Sequence, residues 1–220
     1  MLTVHFAQTL DGRIATSTGD SQWISGEGSL RFAHRLRAEH DAVMVGIGTV
    51  LADDPRLTVR LVAGRSPVRI VLDSRLRIPN EAQVMDTSTA RTIVATTVRA
   101  EKDRITAIER AGVEVLSIPS DAEGRVDLRM LIDQLRRRGL ESVLVEGGRS
   151  LITGALRDGL VDRLAITIAP KIIGEGKPAI GDLGIRKLAQ AITFSESRFE
   201  PCEEDMIFDG RPLRHRIPAA

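Results

Sequence analysis

The chain has 220 residues, 42% of them hydrophobic and 28% charged, values that suit one α/β domain or two small ones and exclude a disordered chain. Its 31 basic and 30 acidic residues leave a formal net charge of +1, so there is no general attraction to nucleic acid or to an anionic membrane. Aromatic residues make up 3% with no tyrosine, which leaves no stacking platform for bases, and the one cysteine, Cys202, excludes an internal disulfide and a cysteine-rich zinc site.

The opening run through Val4, Phe6 and Ala7 predicts a strand that feeds a turn at Asp11-Gly12. It has no basic stretch followed by an apolar one, and no later apolar run reaches the length of a membrane span, so the expectation is a cytoplasmic protein with no membrane partner. Residues 17–22 read as loop. Ser25 is placed to cap a helix over about 26–40, with Leu30, Ala33 and Leu36 near one face. The continuous apolar run 42–47 predicts a strand buried on both faces of a parallel sheet.

Next, 45–60 reads as strand, glycine turn, short helix, an Asp53-Asp54-Pro55 stop, then an extended strand-like run ending at Arg60. Further strands are expected at 68–73, 92–97 and 113–118. Ile105, Ile108 and Ala111 mark a helix closed by Gly112. The clearest helix is 127–138. Asp127 caps it, Leu128, Leu131, Ile132 and Leu135 share one face, and three arginines sit at its negative end before Gly139. A strand at 142–146, a helix over about 149–158, a strand at 164–170 and a late hairpin in the tail complete the pattern. Residues 60–67 and 120–125 are surface loops. Alternating strands and helices argue for a mostly parallel sheet with helices on both faces.

In such sheets ligands bind beyond the carboxyl ends of strands. The Gly147-Gly148-Arg149-Ser150 stretch after a strand either cradles a phosphate at a helix N-terminus or is only a tight turn. Asp53-Asp54-Pro55 is either a stop or part of a site, and Glu146, ending a buried strand, is either paired or used. Arg37 shares a helix with Arg31 and Arg35 and reads first as a solvated face; Arg60 has the same plain reading. His34, His40 and His215 lack metal-ligand spacing, so no metal is assigned.

The segments TLDGRIAT (9–16), GDSQWIS (19–25), LRAEHDAVMVGIGTVLADDPRLTVR (36–60), PVRIVLDSRLRIP (67–79), VLVEGG (143–148) and GLVDRLAITIAPKIIG (159–174), in this order, resemble the reductase family of riboflavin biosynthesis. The resemblance covers residues from about 4 to about 210. It implies a dihydrofolate-reductase-like α/β fold with a mostly parallel central sheet and an antiparallel C-terminal edge. It also implies a homodimer and a single reductase domain over 1–220 without the zinc deaminase domain that precedes it in many bacteria. The implied reaction is NADPH-dependent reduction of the ribosylamino side chain of a pyrimidine 5′-phosphate to ribitylamino, by hydride transfer to C1′ of the ring-opened imine. NADH is not excluded.

The resemblance also assigns roles. Ala7, Trp23, Thr49, Asp53 and Ser74 would contact NADPH, and the segment from Gly148 through Arg149, Ser150 and Leu151 would hold its phosphates. Ser21, Arg37, Leu57, Arg60 and Glu146 would contact the substrate. Asp11 and His5 are the candidates for proton transfer, although bacterial members often carry lysine where this chain has His5. Two rival readings stand beside this one: a reductase of a pterin or dihydrofolate-like substrate, and a nucleotide-binding module without turnover.

Overall fold

The computed structural model describes residues 1–213; His215 and the rest of the expected tail lie outside the described residues. In chain order the elements are β1 (Leu2–Thr9), β2 (Arg13–Thr16), α1 (Glu27–Glu39), β3 (Ala42–Gly46), α2 (Ile47–Asp53), β4 (Val68–Leu72), β5 (Thr92–Thr96) and α3 (Lys102–Arg110). They continue with β6 (Glu114–Ser117), α4 (Leu128–Arg136), β7 (Val143–Gly147), α5 (Arg149–Arg157), β8 (Arg163–Ala169), β9 (Gly176–Pro178), β10 (Phe194–Cys202) and β11 (Asp205–Pro212). Short 3₁₀ turns lie at Gln83–Met85 and Leu188–Gln190. No helix among the described residues is long and apolar enough to cross a membrane.

The chain forms two compact units. The first comprises residues 1–33 and 145 onward, the second residues 34–144. In the second unit β3, β4, β5 and β6 lie side by side, all parallel. Met44, Val45, Ile70, Val71, Ile93 and Val94 are completely buried, which is why these strands read as unbroken apolar runs. On α4 the predicted stripe of Leu128, Leu131, Ile132 and Leu135 is buried. Asp127 caps this helix by accepting the Met130 N–H at 3.0 Å. The helix ends at Arg136, and the left-handed Gly139 turns the chain away.

In the first unit β1 pairs in parallel with β8, and β8 pairs antiparallel with β11, which forms the expected C-terminal hairpin with β10. Mostly parallel pairing with an antiparallel edge is thus the observed arrangement. Phe208 meets Phe194 edge-on at 5.0 Å and Phe199 at 5.1 Å along this edge. Arg163 of β8 clamps Asp209 of β11 through two hydrogen bonds of 2.9 and 2.7 Å.

Several expectations are corrected. Arg13–Thr16 and Gly176–Pro178 form a small antiparallel pair that the sequence pattern did not reveal, because two short polar segments 160 or so residues apart carry no periodicity of their own. Ile47 opens α2 and does not close β3. The run 57–60 is not a strand; Leu57 adopts a left-handed backbone, φ 54°, that no strand tolerates. The entry of α1 is also not left to Ser25. The N–H groups of Gly26 and Gly28 are met by Asp205 at 2.9 Å and Glu203 at 2.8 Å, carboxylates that suit a helix N-terminus.

Candidate functional site

In the second unit the segment after β3 builds most of the candidate positions. The chain passes directly from β3 into α2 at Gly46, which keeps an extended backbone (φ -80°, ψ 153°), and Thr49 sits half-buried in the first turn. Asp53 is its last residue and is exposed. Asp54 then adopts the left-handed conformation (φ 39°, ψ 57°), its N–H closing on the Val50 carbonyl, and Pro55 prevents continuation. The predicted stop is therefore real. Its exit is pinned, because Asp54 accepts the Gln83 N–H at 2.8 Å, and Gln83 in turn accepts from Arg56 Nε at 2.5 Å.

Past this turn, Leu57 is buried and Thr58 brings two arginines together. The Thr58 carbonyl accepts from Arg37 Nη1 at 3.1 Å, and its hydroxyl accepts from Arg60 Nη1 at 2.8 Å. Arg37 is therefore not the solvated side chain that its helix suggested. Partial burial, then the charges of Arg37 and Arg56, hold the Arg60 guanidinium below its usual range. His34, buried one turn before Arg37 on α1, accepts the backbone N–H of Arg60 at 2.9 Å and of Leu61 at 3.3 Å through Nδ1. Its Nε2 stands 3.3 Å from Arg37 Nη1. Metal-ligand spacing gives His34 no role in the sequence. The signal for one is the three-residue offset from Arg37, which puts both on one helix face.

Ser74 follows β4. Its hydroxyl accepts the Val126 N–H at 3.2 Å and its carbonyl accepts the Thr97 hydroxyl at 3.0 Å. Its neighbour Asp73 is completely buried and accepts the Ile78 N–H at 2.8 Å. Burial, opposed by that bond, pushes the Asp73 carboxyl above its usual range.

In the first unit β1 carries His5, buried against Phe32 (ring centroids 5.5 Å apart) and 3.2 Å from the Thr167 hydroxyl, and Ala7, half-buried farther along. Asp11, in the turn after β1, accepts the Thr9 hydroxyl at 2.6 Å and the Gly174 N–H at 2.8 Å. The Thr9 hydroxyl first, opposed by burial and helped by the Gly174 and Ile173 N–H groups, holds its carboxyl below the usual range. That makes Asp11 a standing acceptor and a poor proton donor. Ser21 is half-buried in the following loop, and Trp23 is exposed, its carbonyl accepting from Lys171 Nζ at 2.8 Å.

Glu146 lies half-buried in β7, two residues before Gly148. Gly148 caps α5 at φ 93°, a backbone conformation that requires glycine, and supplies no side-chain cap. Arg149 and Ser150 are exposed at this helix entry, while Leu151 turns into the core.

A family model described as the RibD C-terminal domain matches residues 1–208. The chain belongs to the RibD C-terminal domain family. It is 41% identical over 207 residues to the riboflavin biosynthesis protein RibD of Aquifex aeolicus, an alignment covering 94% of this chain and 56% of that protein. It is 41% identical over 208 residues to the 2,5-diamino-6-ribosylamino-4(3H)-pyrimidinone 5′-phosphate reductase of Methanothermobacter thermautotrophicus, covering 92% of this chain and 94% of that protein. The chain thus spans little more than half of the bacterial relative and nearly all of the archaeal one. Among solved structures it is similar to Acinetobacter baumannii RibD, with a TM-score of 0.82, 25% identity, and coverage of 96% of this chain and 57% of that one. A dihydrofolate reductase from Enterococcus faecalis shares the fold at a TM-score of 0.53 and 12% identity, over 96% of each chain. The fold is therefore dihydrofolate-reductase-like, as the resemblance implied.

Proposed function

We propose that both units belong to one reductase domain, which reduces the ribosylamino side chain of a pyrimidine 5′-phosphate with NADPH and works as a homodimer. The observation that carries the reading is the pair of guanidinium groups of Arg37 and Arg60 gathered on Thr58, an arrangement made for a phosphate dianion. It stands in a chain similar along almost its whole length to a protein named as such a reductase.

The helix entry at Gly148, with no side-chain cap and with Arg149 and Ser150 exposed, fits a cofactor phosphate, while Leu151 anchors that turn in the core. Thr49, Asp53, Ser74, Ala7 and Trp23 would complete the cofactor contacts. When bound, the reduced nicotinamide supplies the hydride that reduces C1′ of the ring-opened imine. The chain's own part is to position. Arg37 and Arg60 hold the 5′-phosphate, Leu57 and Ser21 contact the substrate, and Glu146 accepts hydrogen bonds from the base or a ribose hydroxyl. For proton transfer, the carboxylate of Asp11 is committed as an acceptor, which favours His5.

Steady-state oxidation of NADPH and of NADH tests the reading, with the ribosylaminopyrimidine phosphate in its aminated and deaminated forms beside dihydrofolate. Turnover of a pyrimidine phosphate with NADPH is the expected result. Turnover of dihydrofolate alone, or cofactor binding without consumption, would replace it with one of the rival readings. Size-exclusion chromatography with light scattering tests the dimer.

A further inference from the structure

We infer that His34 is a positioning residue for the phosphate subsite, acting through its unprotonated Nδ1 to fix the backbone of Arg60 and Leu61 beside Arg37. The inference rests on the reductase reading, in which Arg37 and Arg60 bind the substrate's phosphate.

The geometry leaves the ring one arrangement. A backbone N–H can only donate, so the nitrogen that receives the N–H groups of Arg60 and Leu61, at 2.9 and 3.3 Å, must offer a lone pair. Nδ1 is that atom, so the proton of the neutral imidazole belongs on Nε2, which then cannot accept from Arg37; the 3.3 Å approach of Nε2 to Arg37 Nη1 is a contact between two donors and not a hydrogen bond. His34 is 4% exposed, so water does not substitute for it readily. Two features make the turn dependent on it. Residues 54–67 contain no helix or strand after Asp54, so the backbone of Arg60 has no ladder to hold it. The turn also gathers Arg37, Arg56 and Arg60; burial first, then the like charges of Arg37 and Arg56, depress the Arg60 guanidinium. Side chains that repel one another stay together only if their backbones are held. Thr58 joins the two guanidinium groups by its carbonyl and hydroxyl, and His34 fixes the two residues that follow from a rigid helix.

This assigns no proton transfer to His34. Its effect is on where the Arg60 guanidinium stands, and therefore on affinity for the phosphate-bearing substrate and not on the chemical step.

The test compares the wild-type chain with His34→Leu, His34→Asn and Arg60→Ala, each first shown to fold by thermal unfolding. Asparagine places its Oδ1 where Nδ1 stands and accepts both N–H groups; leucine fills the space and accepts neither. Steady-state kinetics give KM for the pyrimidine phosphate and for NADPH, and calorimetric titration with inorganic phosphate gives a binding constant that needs no turnover. His34→Leu is expected to raise the substrate KM and the phosphate Kd by about tenfold or more, with kcat and the NADPH KM within about threefold of wild type. His34→Asn is expected within about threefold of wild type in all four quantities. Substrate KM and phosphate Kd unchanged in His34→Leu, or raised equally in His34→Asn, would overturn the inference, because ring packing and not the acceptor would then matter. If Arg60→Ala leaves both constants unchanged, the phosphate subsite itself is wrong and the role of His34 falls with it. If Arg60→Ala raises them and His34→Leu does not, only the role of His34 falls. Should His34→Leu not fold, His34→Gln takes its place, since its amide reaches the Nε2 position and leaves the two backbone N–H groups without their acceptor.

Discussion

Arg69 offers the sharpest test of how the second unit is held together. It lies inside β4, completely buried, and makes no ion pair among the described residues. Its Nη2 donates to the carbonyls of Asp86 at 2.7 Å and Ala90 at 2.6 Å. Its Nη1 makes longer bonds to the carbonyls of Arg56 and Gln83, both at 3.4 Å, and to the Thr89 hydroxyl at 3.3 Å. Nε has no acceptor. Burial lowers the guanidinium's pKa, partly offset by the Asp86 charge. The residue thus ties the segment 83–90, which has only one short 3₁₀ turn, and the exit of α2 to the centre of a parallel sheet. In Arg69→Met the chain keeps a long side chain but loses every donor. A hydrogen bond to a charged group contributes about 1.5–3 kcal/mol, so the two short bonds alone represent about 3–6 kcal/mol. Relief of burying an unpaired charge opposes this, and a net loss of about 3–5 kcal/mol is expected, the size seen when a buried ionic network loses one member. For a chain of this length that corresponds to a fall in Tm of about 6–20 °C. Urea unfolding followed by circular dichroism, beside a thermal melt, measures it. A variant within about 1 kcal/mol of wild type would mean that water or local rearrangement satisfies these carbonyls, and the reasoning would be wrong.

Other consequences follow from the site and the edge of the sheet. Asp209→Asn removes the doubly bonded partner of Arg163, 13% exposed at its side chain, and is expected to cost about 1–3 kcal/mol at neutral pH. The Arg163 hydrogen bonds, then opposing burial, then the Arg163 and Arg198 charges leave the folded Asp209 carboxyl below its ordinary value. Its stabilisation is therefore complete above the unfolded carboxylate range, near pH 4, and is lost as pH falls through the lower folded value. The gap between wild type and variant in urea midpoint should shrink on acidification; a gap that grows would contradict the assignment. Asp11→Asn should leave kcat within about fivefold, whereas a loss of about 10²-fold or more would restore a proton-transfer role to Asp11. Gly148→Ala forces a side chain into φ 93° and should cost about 1–3 kcal/mol. If the α5 entry holds cofactor phosphate, this variant should also raise the KM for NADPH while leaving that for the pyrimidine phosphate in place, as steady-state kinetics would show.

Local chemistry made much of the fold legible in the sequence. The unbroken apolar runs in 42–47 and 68–73 suit strands covered on both faces, and Asp127 ahead of its apolar stripe suits a capped helix; both are what the structure shows. The Asp53-Asp54-Pro55 stop was readable because proline restricts the residue before it. The motifs carried the family, which the match over residues 1–208 establishes.

Tertiary structure decided the rest, because it depends on partners remote in the chain. The strand-like alternation at 57–60 yields to a turn once Leu57 is buried with a left-handed backbone, and Arg37 leaves the solvated face only because Thr58, 21 residues on, offers it a carbonyl. The entry of α1 is capped by carboxylates about 175 residues away, so no local pattern at Ser25 could announce it. His34 is the clearest case. Its spacing to other histidines excluded a metal and said nothing more, while its role comes from two backbone N–H groups 26 and 27 residues later. Residue types and periodicities constrain what a segment can become over one or two turns. Which acceptor a buried nitrogen finds is settled only when distant segments pack together.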